Sequence, residues 1–318
     1  LLDALPAAGV ETVPLRMARY DPWRFDRRVV WDQLLLPLAA ARSGARLLHC
    51  TSGSVPLLSP LPVVVTVHDI AWLRGVQAHT PSYARCYFGS FSAQRWLKAR
   101  AVIVDSHFTR DELLAFVPLD PARIVVVHPG VDGVFARIVR RPAGTQTILC
   151  VGTVERRKNA AIVIETLPRI PDARLICAGP PTPYQAECEA LAQRLGVADR
   201  VEFAGYVEPE RLLELYATSS LAVAPSRYEG FGYAAAQALC AGIPLVAARS
   251  SSLTEVVQND APLLAPDDPS VWSDAMRAIL DAQGDANQRA AAVRPGALTR
   301  FAWSRAAAET AAVYQRAL

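Results

Sequence analysis

The chain has 318 residues, 52% of them apolar, with 33 basic and 30 acidic side chains and a formal charge of +3. This length and apolar content suit two domains with separate cores, and no uncharged apolar run reaches the roughly 18 residues of a membrane-spanning helix. The cysteines at 50, 86, 150, 177, 188 and 240 form no CxxC pair and no zinc spacing with histidine, so neither a disulfide framework nor a metal site is suggested and buried, reduced thiols are expected.

In chain order, LLDALPAAGVETVPL reads as the end of a helix running into a strand, so a first strand and its loop are expected to precede it. This opening lacks the basic start of a signal peptide, and a cytoplasmic protein is expected. RFDRR, residues 24–28, is the only cluster of basic residues in a half that carries 16 basic and 11 acidic groups over 1–140, against 17 and 19 over 141–318. A solvated face explains it better than a surface for anionic lipid. Then come the strand candidates ARLLHC, PVVVTV, AVIVD and RIVVVH, each apolar nearly throughout, as in a parallel sheet covered on both faces.

The polar stretch from Phe135 to Thr147, with Pro142 and Gly144, is the expected linker. After it TILCVG, ARLICAG, RVEFAGY, SLAVAP, IPLVAA and APLLAP alternate with amphipathic stretches such as NAAIVIETLPRI and ERLLELYATS. Six strands with crossovers make a complete doubly wound domain. The chain closes on RFAWSRAAAETAAVYQRAL, a strong helical pattern with no strand after it.

Ligands of open parallel sheets sit beyond the carboxyl ends of the strands, and those places are polar here. PVVVTV leads into His68 and Asp69, AVIVD into Ser106, His107 and Thr109, and RIVVVH into Pro129, Gly130 and Asp132. TILCVG leads into TVERRKN, and SLAVAP into SRYEGFG. Arg156, Arg157 and Lys158 stand together in a chain whose only lysines are Lys98 and Lys158. A planar guanidinium fork beside a compact ammonium suits a diphosphate, and cations at a helix start oppose the helix dipole unless an anion balances them. Gly230 and Gly232 permit close approach of the backbone, and the helix beginning near Tyr233 offers free N–H groups. Glu229 then suits sugar hydroxyls, and the two halves together describe a nucleotide sugar.

Those residues in that order resemble a family 4 glycosyltransferase of the GT-B fold, over almost the whole chain. RVVWDQLLLP, LLHCTSGSVPL, TVHDIAWL, IVDSHFTRDEL, VVVHPGVD, VGTVERRKN, VEFAGYV, APSRYEGFGYAAAQAL and SSLTEVVQNDAPLLAPDD carry the resemblance. It implies an α/β fold of two facing Rossmann-like doubly wound domains: residues 1–140 on the acceptor side, 141–300 binding the donor, and a helix over 301–318 crossing back to the first domain. It also implies retaining transfer of a hexose, mannose before others, from a nucleoside-diphosphate sugar to a saccharide or lipid-linked saccharide in polysaccharide or glycan synthesis. Neither metal nor cofactor is expected, nor nucleic acid; a peripheral contact at the inner face of the membrane is.

By resemblance Arg157 and Lys158 hold the diphosphate and stabilise the leaving nucleotide, and Gly152 stands in the same loop. Glu229 contacts the transferred sugar, with Gly230, Phe231 and Gly232 lying along it. His68 touches the donor sugar, and the backbone at Val207 reads the base. Gln237 stands where the family usually has the glutamate that holds the ribose. A neutral acceptor there is expected to weaken donor binding by about 1–2 kcal/mol. With the truncated start, it motivates a second reading, a catalytically silent nucleotide-sugar-binding subunit; a nucleotide-sugar epimerase is a weaker third.

Overall fold

The computed structural model describes residues 1–16, 24–76, 82–142 and 144–318. It divides into two compact units, Leu1–Gly130 with Trp303–Leu318, and Val131–Ala302. The four apolar runs of the first unit form β1 (Leu48–Cys50), β2 (Val63–Val67), β3 (Ala101–Val104) and β4 (Ile124–Val126). All pair in parallel in the order β1-β2-β3-β4, with Val64 opposite Ala101 and Val102 opposite Ile124.

Alternation explains why these strands are apolar on both faces. Val63, Val65, Val67, Val102 and Val104 join a core with Trp96 and Leu113. Their neighbours Val64, Ala101 and Ile103 join another with Ala306, Val313 and Ala317 of the helix Trp303–Ala317. Gly130 precedes that helix in space at a very close approach, since a Cβ there would lie 2.4 Å from the Trp303 ring. The helix His107–Phe116 starts on Ser106, whose hydroxyl accepts from the Thr109 amide at 3.0 Å.

The opening segment differs from its sequence pattern. A short turn of helix at Pro6–Ala8 ends on Gly9 at φ 76°, and among the described residues no strand precedes Leu48. Pro14 lacks the amide a ladder would use, and the segment is anchored by buried Leu5 instead.

His49 of β1 ties the sheet to the closing helix. Its Nδ1 lies 2.6 Å from the Tyr314 hydroxyl and its Nε2 2.8 Å from that of Thr66. Burial, with His68 nearby, lowers its pKa to about 4. The unfolded imidazole takes up a proton near pH 6.5, so the contribution of neutral His49 is complete above that value and is lost as pH falls towards 4. We expect about 2 kcal/mol to be lost between neutrality and about pH 5 in urea titrations, and His49→Gln to flatten that slope. An unchanged slope in the variant would remove His49 as its source.

The second unit holds β5 (Gln146–Val151), β6 (Ala173–Ala178), β7 (Val201–Gly205), β8 (Leu221–Ala224), β9 (Leu245–Ala248) and β10 (Leu263–Leu264). The order is β10-β9-β8-β5-β6-β7, all parallel. From β5 the chain winds outwards through β6 and β7, then returns to lay β8 on the other side of β5. The switch point therefore lies between β5 and β8, where a doubly wound sheet opens a crevice at its carboxyl edge. Ile148, Leu149, Leu175, Leu221 and Val246, all fully buried, fill the core beneath it.

The change of unit falls at Gly130–Val131, not in the Phe135–Thr147 stretch, of which Ala143 lies outside the described residues. Phe135 and Ile138 are buried in the second core. Arg140 donates to the carbonyls of Ala217 at 3.0 Å and Ser219 at 2.6 Å, and Arg294 to those of Ala136 at 2.7 Å and Ile138 at 2.9 Å. Arginines reaching backbone carbonyls make a polar segment part of the domain, which composition alone does not reveal. Likewise, 301–302 stay with the second unit, where Val131 donates to the Phe301 carbonyl at 2.8 Å. Among the described residues no helix is long and apolar enough to cross a membrane.

Candidate functional site

The carboxyl ends of β5 and β8 meet in one pocket lined by Gly152, Thr153, Lys158, Ser226, Glu229 and Gly232, among others. Three glycines bring the backbones together at this edge. The Gly152 amide donates to the Ala178 carbonyl at 2.9 Å and the Gly179 amide to the Gly205 carbonyl at 2.8 Å. Gly152 has φ 131°, and a Cβ on Gly179 would lie 2.1 Å from the Gly152 oxygen. Only glycine fits either place.

Beyond Gly152, Arg156–Lys158 form a single tight turn that ends on Asn159 at φ 59°. Buried Asn159 fixes this turn, donating to the carbonyls of Pro225 at 3.2 Å and Pro266 at 2.8 Å. Lys158 Nζ thereby reaches Glu229 Oε1 at 2.6 Å, and Arg157 reaches Glu229 Oε2 at 3.3 Å and the Tyr228 carbonyl at 3.1 Å. Arg157 also pairs with Glu155 at 2.9 Å.

Glu229 is 8% exposed and also accepts from Ser226 Oγ at 2.7 Å. Burial opposes its charge, but Lys158 and Arg157 outweigh it and hold the carboxyl below its ordinary pKa. The result is a nearly dry ionic cluster beside a glycine-lined edge. Small movements of Lys158 and Arg157 would offer two cations to an anionic ligand while Glu229 stays anchored by Ser226.

The expected residues do not all converge. Gly230 and buried Phe231 follow Glu229, and the Phe231 ring packs 5.7 Å from Phe301, so only its backbone is available to a ligand. Gly232, at φ 98°, starts the helix Tyr233–Ala241, whose first turn lines the pocket. Arg156 is turned away: it pairs with Glu187 at 2.6 Å and covers the Tyr184 ring at 4.9 Å. Val207 follows β7, two strands from β5, and does not line the pocket. Gln237 is also outside the lining, and its Oε1 accepts from the Tyr216 hydroxyl at 3.2 Å. One lone pair of its carbonyl oxygen is thus engaged by the protein, and the other lone pair and the amide N–H groups are what it offers elsewhere.

Three serines after β9 were not singled out in the sequence. Ser250 donates to the Ser226 carbonyl at 2.5 Å, Ser252 donates to the Glu229 carbonyl at 2.9 Å, and Ser251 accepts from the Glu229 amide at 3.0 Å. They pin the loop that carries Glu229. Their signal was a run of hydroxyls directly after a strand next to the switch point.

His68, after β2, belongs to the other unit. Its Nδ1 lies 2.7 Å from Asp105 and its Nε2 2.8 Å from the Thr51 carbonyl. Burial works against a charge, but the hydrogen bond and charge of Asp105, the Thr51 carbonyl and Asp69 raise its pKa to about 9. The ring is half exposed, yet both nitrogens donate to oxygens that accept, which suits an imidazolium. We expect its NMR titration midpoint near 9, and Asp105→Asn to bring it back towards about 6.5. A wild-type midpoint near the ordinary histidine value would contradict the assignment.

Residues 135–295 match the family described as glycosyl transferases group 1, and residues 3–133 match glycosyltransferase family 4. The chain belongs to this glycosyltransferase family. Family members similar to it include a D-inositol 3-phosphate glycosyltransferase of Xylanimonas cellulosilytica, 34% identical over 281 residues, covering 81% of this chain and 67% of the relative. A glycogen synthase of Mycobacterium tuberculosis is 30% identical over 273 residues, covering 82% and 63%. The chain spans 67, 61 and 57% of the length of three curated inositol-phosphate glycosyltransferase relatives.

Among solved structures, sucrose-phosphate synthase from Thermosynechococcus elongatus superposes with a TM-score of 0.73 at 21% identity, over 88% of this chain and 76% of that one. Anabaena Alr3699/HepE, in complex with UDP and glucose, gives 0.71 at 18% identity, over 90% and 82%. A glycosyltransferase from Rickettsia africae gives 0.71 at 15%, over 99% and 87%. The family fold is GT-B, as the ordered motifs implied.

Proposed function

We propose that the pocket between β5 and β8 holds the diphosphate and sugar of a nucleoside-diphosphate sugar, and that the protein transfers the sugar to an acceptor hydroxyl. The observation that carries this reading is the Lys158–Glu229–Arg157 cluster at the switch point, beside the backbone of Gly152. Lys158 and Arg157 face the charge that develops on the departing diphosphate, and Glu229 accepts from sugar hydroxyls. The bond between the anomeric carbon and the phosphate oxygen breaks, and the bond to the acceptor oxygen forms on the same face. The acceptor proton passes to the leaving phosphate, so the anomeric configuration is retained without a second carboxylate as nucleophile.

A hexose from a uridine or guanosine diphosphate is the proposed donor, with mannose and glucose the first to test; a saccharide or lipid-linked saccharide is the proposed acceptor. UDP is the natural first probe, since it accompanies the structurally similar HepE. The silent-subunit reading keeps one observation in its favour, the Tyr216 hydroxyl already occupying the Gln237 carbonyl oxygen.

Calorimetry with UDP, GDP, UDP-glucose and GDP-mannose, followed by assay of nucleotide release, separates the two. Binding of one nucleotide with slow release from its sugar supports transfer, binding without turnover supports the silent subunit, and no binding by any of them would sink both. Gln237→Glu should tighten binding of the preferred nucleotide by about tenfold, through a charged acceptor for hydroxyl groups.

A further inference from the structure

Cys150 and Cys177 stand directly opposite each other, on β5 and β6, in a parallel register that points both side chains to the same side of the sheet. Both are buried, and both line the pocket that contains Lys158 and Glu229. The groups around them are Lys158, Glu229, the thiol of Cys188 and the hydroxyl of Tyr216. The neighbouring Cys177 thiol and, less so, Lys158 hold the Cys150 thiol below its ordinary pKa, against burial and the charge of Glu229. Cys177 is correspondingly held protonated. The register sets the two thiols side by side, so that one can attack an oxidant and the other resolve the adduct. Adjacent strands lie about 4.8 Å apart, within the Cα separation of roughly 4.4–6.8 Å that a disulfide spans but beyond its Cβ separation of roughly 3.5–4.5 Å, so closing the bond must draw the two strand ends together.

We propose that Cys150 and Cys177 form an oxidisable dithiol on the floor of this pocket, closed to a disulfide by a small diazene oxidant that enters where the nucleotide would sit. The Cys150 thiolate adds to one nitrogen of the diazene double bond. The Cys177 sulfur then attacks the Cys150 sulfur, the S–N bond breaks, and the two thiol protons and two electrons end on the hydrazine product. Bonding the two strand ends pulls on the turn that carries Gly152 and Lys158, so the oxidised protein grips a nucleotide less well. The route of entry and this last effect rest on the nucleotide reading of the pocket; the cross-link itself does not.

The test uses the full chain with Cys86, the exposed cysteine, replaced by serine. Diamide should link Cys150 to Cys177 in non-reducing peptide maps, with saturating UDP slowing the reaction about tenfold or more. The linked protein should bind UDP about tenfold more weakly, with recovery in dithiothreitol, and in Cys150→Ala diamide should leave UDP affinity unchanged. Alkylation of both thiols after diamide and denaturation, or a bond to Cys188 instead, would overturn the dithiol. An equal rate with and without bound UDP would overturn the route through the pocket. A protein that binds no UDP counts against the nucleotide reading, and the peptide map still decides the chemistry of the thiols.

Discussion

Replacing Lys158 with alanine should weaken UDP binding by about tenfold or more and cost about 2 kcal/mol of stability. The two effects share one cause. Lys158 holds Glu229 at 2.6 Å, and the remaining cation, Arg157, reaches the other carboxylate oxygen only at 3.3 Å. Without the ammonium, Glu229 keeps its burial penalty and loses the larger share of the attraction that offsets it, so its pKa should rise. A carboxyl held below its ordinary value contributes stability above the unfolded pKa and loses it as the pH falls; in the variant that contribution shrinks or reverses.

Adding Glu229→Gln to Lys158→Ala should therefore restore part of the stability, because the orphaned charge is gone, while UDP affinity stays low. Urea denaturation and calorimetry on the two variants read both quantities. If the double variant is no more stable than the single one, the ionic cluster does not govern the folding of this edge. If UDP affinity is unchanged in Lys158→Ala, Lys158 is not in the nucleotide site.

Gly179→Ala should be the most damaging single methyl in the second unit, at about 3 kcal/mol. Gly179 lies outside the left-handed range of φ, so strain in φ is not the reason. Its Cβ would lie 2.1 Å from the Gly152 oxygen, 2.3 Å from the Gly152 carbonyl carbon and 2.8 Å from the Thr153 nitrogen. These are backbone atoms, which cannot rotate out of the way as a side chain can. The strand ends must separate, moving Gly152 and the turn behind it, so UDP binding should fall with stability. Gly296→Ala is the contrast, within a helix with nothing near the added carbon, and should be neutral or stabilising by about 0.5 kcal/mol. Thermal unfolding of the pair checks the ranking.

Each of the ten strands among the described residues overlaps an apolar run visible in the sequence, because a parallel sheet covered on both faces leaves a local record in each strand. The EGFG turn and the basic turn were legible for a similar reason: each follows its strand directly. Partnerships between distant segments were not. Nothing local shows that Arg140 and Arg294 fasten the polar stretch near residue 138 to the second unit, or that Arg156 leaves its neighbours for Glu187. The serines after β9 act through the loop of Glu229, more than 20 residues away in sequence. The claim of Tyr216 on the Gln237 oxygen depends on two helices packing, which no spacing encodes.

The closing helix Trp303–Ala317 also bears on the order in which the chain becomes folded. Val64, Ala101 and Ile103 wait for Ala306 and Val313 to cover them, so one face of the first sheet stays uncovered through synthesis of nearly two hundred intervening residues. The second unit is continuous from Val131 to Ala302 and can close earlier, although it is made later. On the ribosome, the amino-terminal half is then the last to mature and the longest exposed to aggregation or chaperone capture.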